Sequence, residues 1–315
     1  VIKLNSKEAG FMLHYSEYVK NLIKNYPSEA QEVFTDVEKR LDGEPELGEP
    51  FDKLIEDYMI NETVELNPAL EAVDALAEKS GINENTLEFV FIMNCTEILH
   101  EKYIAAGIPE EVFTESVDDL RCKLLECIEC EGVPGTFVAG WNNGFLKMRR
   151  FAYGRFQYEV STYNFDFDFI TSCGKKIVKG DKYINFHIPS SGIPLTDEVR
   201  LASYRKAYPH YKDIFPDGKV VFGCGSWLLS PRHREFLPPH LNILKFMDDF
   251  EIVCWEEQDH FGNDWRVFGH YSDLPYNELP RDTSLRKAYA EWLCAGNKAG
   301  DGFGVFVFDG EKILR

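Results

Sequence analysis

Over the first 130 residues the apolar positions recur at intervals of three and four, the period of a helix with one buried face. Phe11, Tyr15, Tyr18 and Leu22 form one stripe behind Ser6, which predicts a capped helix running to about Lys24. Val33, Val37 and Leu41 keep step behind Ser28. The GEPELGEP stretch at 43–50 breaks the pattern and predicts a loop. Asn67-Pro68 predicts another start, because proline in a first turn gives up an N–H that would be unpaired anyway. From Asn83 a long helix is predicted through Leu87, Phe91, Cys95 and Ile98, stopped by Gly107 and Pro109. One more follows from Glu110 to about Cys130, and no internal repeat is apparent.

Beyond residue 140 the pattern becomes short aromatic and β-branched runs at 145–151, 155–160, 165–171 and 183–188, broken at Gly154, Gly174 and Gly180. Connections this short predict antiparallel neighbours. A helix opens at Thr196, with Leu201, Tyr204, Tyr208 and Tyr211 on one stripe. Then come a strand at 219–224, a short helix after Pro231, strands near 243–255 and at 265–268, a helix capped by Asp282, and a last strand at 302–308. A single helical crossover joins 183–188 to 219–224, so those two strands are predicted parallel if they share a sheet. The predicted class is α+β: a helical half, then a mostly antiparallel sheet with one parallel crossover at its centre.

Composition sharpens the division. The chain has 315 residues, 44% hydrophobic and 28% charged, enough for two ordinary domains. Residues 1–135 carry 30 acidic against 11 basic side chains, whereas 136–315 carry 23 of each, so the whole net charge of −19 lies in the first part. All five tryptophans lie in the second. The predicted domains are therefore 1–135 and 136–315, divided at Gly132-Val-Pro-Gly135. An acidic first half would repel phosphates and argues against nucleic acid as a partner. With no long apolar run and no basic-then-apolar start, no membrane association is expected and a cytoplasmic location is. The eight cysteines are scattered and expected to be free thiols; the lone CxxC at Cys127 and Cys130 has no second pair at zinc spacing, and no metal is expected. Nothing in the pattern fixes the oligomeric state.

Several chemical motifs fail on inspection. His100-Glu101 begins like HExxH but has Ile104 in place of the second histidine. The glycines of 300–304 precede a strand instead of opening a helix, and are read as a turn. Ser226 in GCGSW has Cys224 and Leu228 where a nucleophile elbow needs glycines. Three features remain. The strand–loop–helix at FHIPSSGIPLT, 186–196, is a phosphate-cradle arrangement, in which helix N–H groups point at an anion. Glu159, among Phe156, Tyr158 and Val160, is expected to have a raised pKa and to serve as a base. His187 shares a strand face with Asn185 beside the loop.

FHIPSSGIPLT, SWLLSP at 226–231, LPPHLNILKF at 237–246 and LPRDTSLRKA at 279–288 resemble a bacterial acyltransferase-like family. Its members pair a helical N-acyltransferase-type N-terminal domain with a GNAT-like (N-acetyltransferase-like) C-terminal domain. The resemblance implies that 183–188 and 219–224 splay apart to admit the pantetheine arm of acyl-CoA or CoA. It implies a pyrophosphate loop at 189–195, with Ile188, Ser190, Ser191, Gly192, Ile193 and Leu195 as cofactor-binding residues. Pro189 and Pro194 stand where the family's signature has other residues, and remove two N–H donors. The activity implied is acyl transfer from a thioester to an amine or hydroxyl of a small acceptor, with Glu159 or His187 as base and Ser226 as acid for the leaving thiolate. The alternative is a non-catalytic ligand-binding protein on the same fold.

Overall fold

The computed structural model describes residues 16–315; the stripe beginning at Ser6 lies largely outside them. The chain divides into two compact units at Arg149/Arg150.

The first unit is helical: α1 (Glu17–Ile23), α2 (Ser28–Gly43), α3 (Pro45–Ile55), α4 (Leu66–Ser80), α5 (Glu84–Ala105), α6 (Glu110–Val117), α7 (Asp119–Glu131) and the short α8 (Asn143–Leu146). Asn83 caps α5 by accepting from the Thr86 N–H at 3.3 Å. The sequence shows one apolar stripe on α5, yet Phe89, Val90, Ile92 and Met93 are buried as well, because α2, α3, α4, α6 and α7 all pack around it. The loop expected at 43–50 is instead the start of α3. Pro45 sits in its first turn, and Leu47, Phe51 and Ile55 bury at four-residue spacing, so packing of that stripe overrides the turn-forming composition. The compositional break at 132–135 is pinned to α5: Thr136 N–H donates to Asn85 O at 2.9 Å, and Thr86 Oγ1 to Pro134 O at 2.7 Å. His100 stacks on Phe113 at 4.4 Å with Nε2 2.7 Å from Glu110, a packing role.

The second unit is built on a sheet of β1 (Arg150–Tyr153), β2 (Phe156–Thr162), β5 (Lys182–His187), β6 (Val220–Ser226), β7 (Glu251–Glu257), β8 (Gly300–Phe308) and β9 (Ile313–Leu314). A separate hairpin joins β3 (Phe169–Ile170) and β4 (Lys176–Ile177). The order is β1-β2-β5-β6-β8-β7, with β9 on β8. Every neighbouring pair is antiparallel except β5 and β6, joined across α9 (Asp197–Tyr211). Even-numbered residues of β2, β5, β6 and β8 face α9. Tyr204 of α9 lies over Phe156, Phe186, Phe222 and Phe306, with centroids 4.8–5.9 Å away.

Several expected elements differ. The run at 145–151 is α8 followed by a strand that begins only at Arg150. The run at 165–171 contributes two strand residues; Phe165 and Phe167 instead join an aromatic cluster with Tyr163 and Phe303. The stretch near 243–255 opens with α11 (Asn242–Met247), after the short α10 (His233–Phe236), before β7. Residues 265–268 form α12 (Trp265–Phe268), not a strand, and Thr283, not Asp282, caps α13 (Ser284–Cys294). Gly300–Gly304 is strand, not turn: a side chain on Gly302 would run into the Leu229 carbonyl.

Candidate active site

One transverse row of the sheet holds the polar residues. Arg150 of β1 pairs with Glu159 of β2, Glu159 with Asn185 of β5, and Asn185 with Gly223 of β6. These odd-numbered positions of β2, β5 and β6 lie on the face away from α9. His187 is two residues past Asn185 on the same face, so it meets Glu159 diagonally, a reach open to long side chains. Its Nε2 is 2.7 Å from Glu159 Oε1, and Arg150 donates to both Glu159 oxygens at 3.2 Å.

Burial alone would push the Glu159 carboxyl up. The hydrogen bond from His187 and the charge of Arg150 outweigh it and hold the group down at about 2. The raised pKa expected from the apolar neighbours is therefore corrected: Phe156 and Tyr158 project to the α9 face, and Glu159 meets charge on the other. An anion this weakly basic takes few protons at neutral pH. Because Glu159 is ionised, Nε2 of His187 carries the hydrogen between them, so the Asn185 Nδ2 that lies 3.2 Å from Nε2, itself a donor, makes no hydrogen bond to it.

Beside this pair the sheet opens. β5 and β6 share only two partner pairs, Ile184↔Phe222 and Asn185↔Gly223. Past them, Phe186 and His187 have no ladder partner on β6, while Cys224, Gly225 and Ser226 pair only with β8. Gly223 is where the strands part; a β-carbon there would lie 2.6 Å from the Tyr183 ring.

The loop leaving β5 carries Ile188, Ser190, Ser191, Gly192, Ile193 and Leu195 to α9. Thr196 caps α9 by accepting from Val199 N–H at 3.4 Å. Gly192 has φ +78°, a left-handed conformation that suits glycine, and open space where a side chain would project. Among the described residues the N–H groups of Ser190, Ser191 and Gly192 have no protein acceptor. Against an anion stand Asp197 and Glu198 in the first turn of α9.

Ser226 is placed apart from His187 and Glu159. Strand alternation sets it on the α9 face, and its Oγ accepts from Leu228 N–H at 3.2 Å. Glu159 and His187 are thus brought together, and Ser226 is not. Sequence reasoning misses Arg150; its only signal is register, which a single sequence does not reveal.

The sequence profile of the N-acyltransferase N-terminal domain matches residues 20–148, and that of the GNAT-like C-terminal domain matches 151–306. The chain belongs to the N-acyltransferase family with a GNAT-like C-terminal domain. No curated protein matches it. Among solved structures, an acyltransferase in complex with decanoyl-CoA and teicoplanin is similar at TM-score 0.71 and 20% identity, over 92% of this chain and 87% of that one. An acyltransferase mutant in complex with octanoyl-CoA gives the same values. A third, an acyltransferase in complex with decanoyl-CoA, has TM-score 0.68 at 20% identity, over 91% and 86%. At this identity the likeness is one of fold.

Within the N-acyltransferase-like chain, no three His, Cys, Asp or Glu side chains gather to hold a metal among the described residues. No described helix is long and apolar enough to cross a membrane. Cys127 of the CxxC is buried on α7, its thiol pushed up to about 12 mainly by desolvation.

Proposed function

We propose that this chain transfers an acyl group from an acyl-CoA thioester to an amine or hydroxyl of a small acceptor. The observation that carries this reading is the parting of β5 and β6 after Asn185 and Gly223. Two strand ends that no longer pair offer backbone donors and acceptors to an extended, amide-bearing arm such as pantetheine. The gap leads from the Glu159–His187 pair to a loop at a helix N-terminus, where a pyrophosphate gains from unpaired N–H groups. The similar solved structures are acyltransferases holding octanoyl-CoA or decanoyl-CoA, which supports the same donor class.

In this reading His187 is the base. It takes the proton from the attacking amine or hydroxyl as the bond to the thioester carbon forms. Glu159 stays ionised, orients the ring and stabilises the imidazolium. The backbone N–H at Ile188, at the parting of the strands, donates to the developing oxyanion. The imidazolium formed on His187 returns its proton to the departing thiolate, since Ser226 lies on the α9 face of the sheet and apart from the His187–Glu159 pair. A cytoplasmic location and small-molecule partners belong to the same proposal.

Pro189, Pro194 and the acidic first turn of α9 favour a second reading, a protein that binds without transferring. Thermal denaturation with acyl-CoA tests the shared premise. A ligand at 100 times its Kd stabilises the folded state by about 2.7 kcal/mol. An unmoved Tm at millimolar acyl-CoA rejects both readings as far as CoA is concerned; a raised Tm without thiol release across an amine panel favours the second.

A further inference from the structure

The loop between β5 and α9 has lost N–H donors to two prolines and faces two carboxylates, yet it is held firmly by a residue outside it. Arg155, in the turn between β1 and β2, is buried at 7% exposure. Its Nη1 donates to Pro189 O at 2.8 Å and its Nε to Ile193 O at 2.9 Å. One planar guanidinium therefore bridges the two ends of the stretch that contains Ser190, Ser191 and Gly192. At the next turn of chain, Arg200 of α9 donates to Leu195 O at 2.7 Å, but its charge is matched by Asp249 at 2.7 Å and Asp197 at 3.1 Å.

These bonds fix directions. In a trans peptide the C=O and the following N–H point opposite ways. Drawing the Pro189 carbonyl to Arg155 turns the Ser190 N–H away from Arg155. The Ile193 carbonyl, whose peptide ends in Pro194 and offers no N–H, is removed from the side where an anion would meet it as a repelling dipole. Between the two anchors Gly192 keeps its left-handed turn with open space beside it.

We propose that Arg155 is a positioning residue for the acyl donor. It shapes residues 189–193 so that the Ser190, Ser191 and Gly192 N–H groups meet the pyrophosphate, replacing by backbone geometry the donors that the prolines remove. The inference rests on the acyl-CoA reading above. It predicts that Arg155 acts on the diphosphate end of the donor and not on its pantetheine arm, which a general loss of folding would not reproduce.

Isothermal titration calorimetry of the full chain with CoA and with pantetheine, which lacks the pyrophosphate, tests it. The wild type is expected to bind both, CoA more tightly. Arg155→Met is expected to weaken CoA more than tenfold while pantetheine stays within twofold. Arg155→Lys is expected to fall between, since one ammonium lacks the fork that spans two carbonyls; it carries the comparison if the methionine variant melts below assay temperature. Unchanged CoA affinity in both variants overturns the inference, and so does an equal loss for CoA and pantetheine. A wild type that binds neither overturns the acyl-CoA reading itself, before any variant is compared.

Discussion

His187 reaches Glu159 diagonally across the β2–β5 ladder, Nε2 to Oε1 at 2.7 Å, although its direct partner in register is Gln157. The diagonal contact sets the imidazole against a carboxylate that Arg150 also holds; in the proposed mechanism the carboxylate keeps the charge and the ring takes the proton.

Removing either member should tell them apart. His187→Ala is expected to lower kcat by about 10²–10⁴, the usual worth of a general base. Glu159→Gln is expected to cost less and to move the acidic limb of the kcat/KM profile toward lower pH, because the imidazolium loses its stabilising anion. Steady-state kinetics against pH with one acceptor checks both. A Glu159→Gln enzyme with the wild-type profile would remove Glu159 from the site.

Gly223 sits where the strands part, and Gly302 lies against the turn after β6. A β-carbon at Gly223 meets the Tyr183 ring, which can swing aside; at Gly302 it meets the Leu229 backbone carbonyl, which cannot. Gly223→Ala is expected to cost about 1–3 kcal/mol and Gly302→Ala more than that. Urea denaturation of the two variants checks the order.

His233 is a buried histidine, 2.5 Å by Nε2 from the Tyr289 hydroxyl, and burial pushes it from 6.5 down to about 4. The unfolded chain takes up its proton first, so this stabilisation is complete above pH 6.5 and is lost as pH falls toward 4. Between pH 6.5 and 5 the loss is about 2 kcal/mol. Denaturation midpoints of wild type and His233→Gln at the two pH values check it: the variant's own midpoint is expected to move less between them.

Glu88 of α5 shows the opposite sign. Burial, with Asp74 and Glu84 nearby, raises it to about 7. Ionisation then costs stability above pH 7, and the cost is relieved as pH falls from 7 to 4.5. Glu88→Gln is expected to stabilise at pH 8 by about 1–2 kcal/mol, discounted because the group is only half buried, and to be neutral below pH 4.5. Equal shifts at both pH values would contradict this.

The sequence was most legible where a local rule and the tertiary structure agree. Thr196 caps α9 as its hydroxyl and position suggest, and the α9 crossover makes β5 and β6 parallel. It was least legible where packing decides. Residues 43–50 look like a loop and residues 265–268 like a strand, yet both are helical because their apolar side chains find a core. The site divided in the same way. His187 and Glu159 were nameable from composition and strand face. The sign of the Glu159 shift was not, because it depends on Arg150 being its ladder partner, and register across a hairpin is a property of the folded sheet. Arg155 was hidden for the same reason, since its partners lie more than thirty residues along the chain.

The central claim is acyl transfer driven by His187 from a CoA thioester. The most direct measurement is release of free thiol from decanoyl-CoA, followed with a panel of primary amines and hydroxyl compounds, for the wild type and His187→Ala. The account predicts thiol release that needs an acceptor, matches acylated product one for one, and falls at least a hundredfold in the variant. Release at the uncatalysed rate with every acceptor, or equal rates for wild type and His187→Ala, would contradict it.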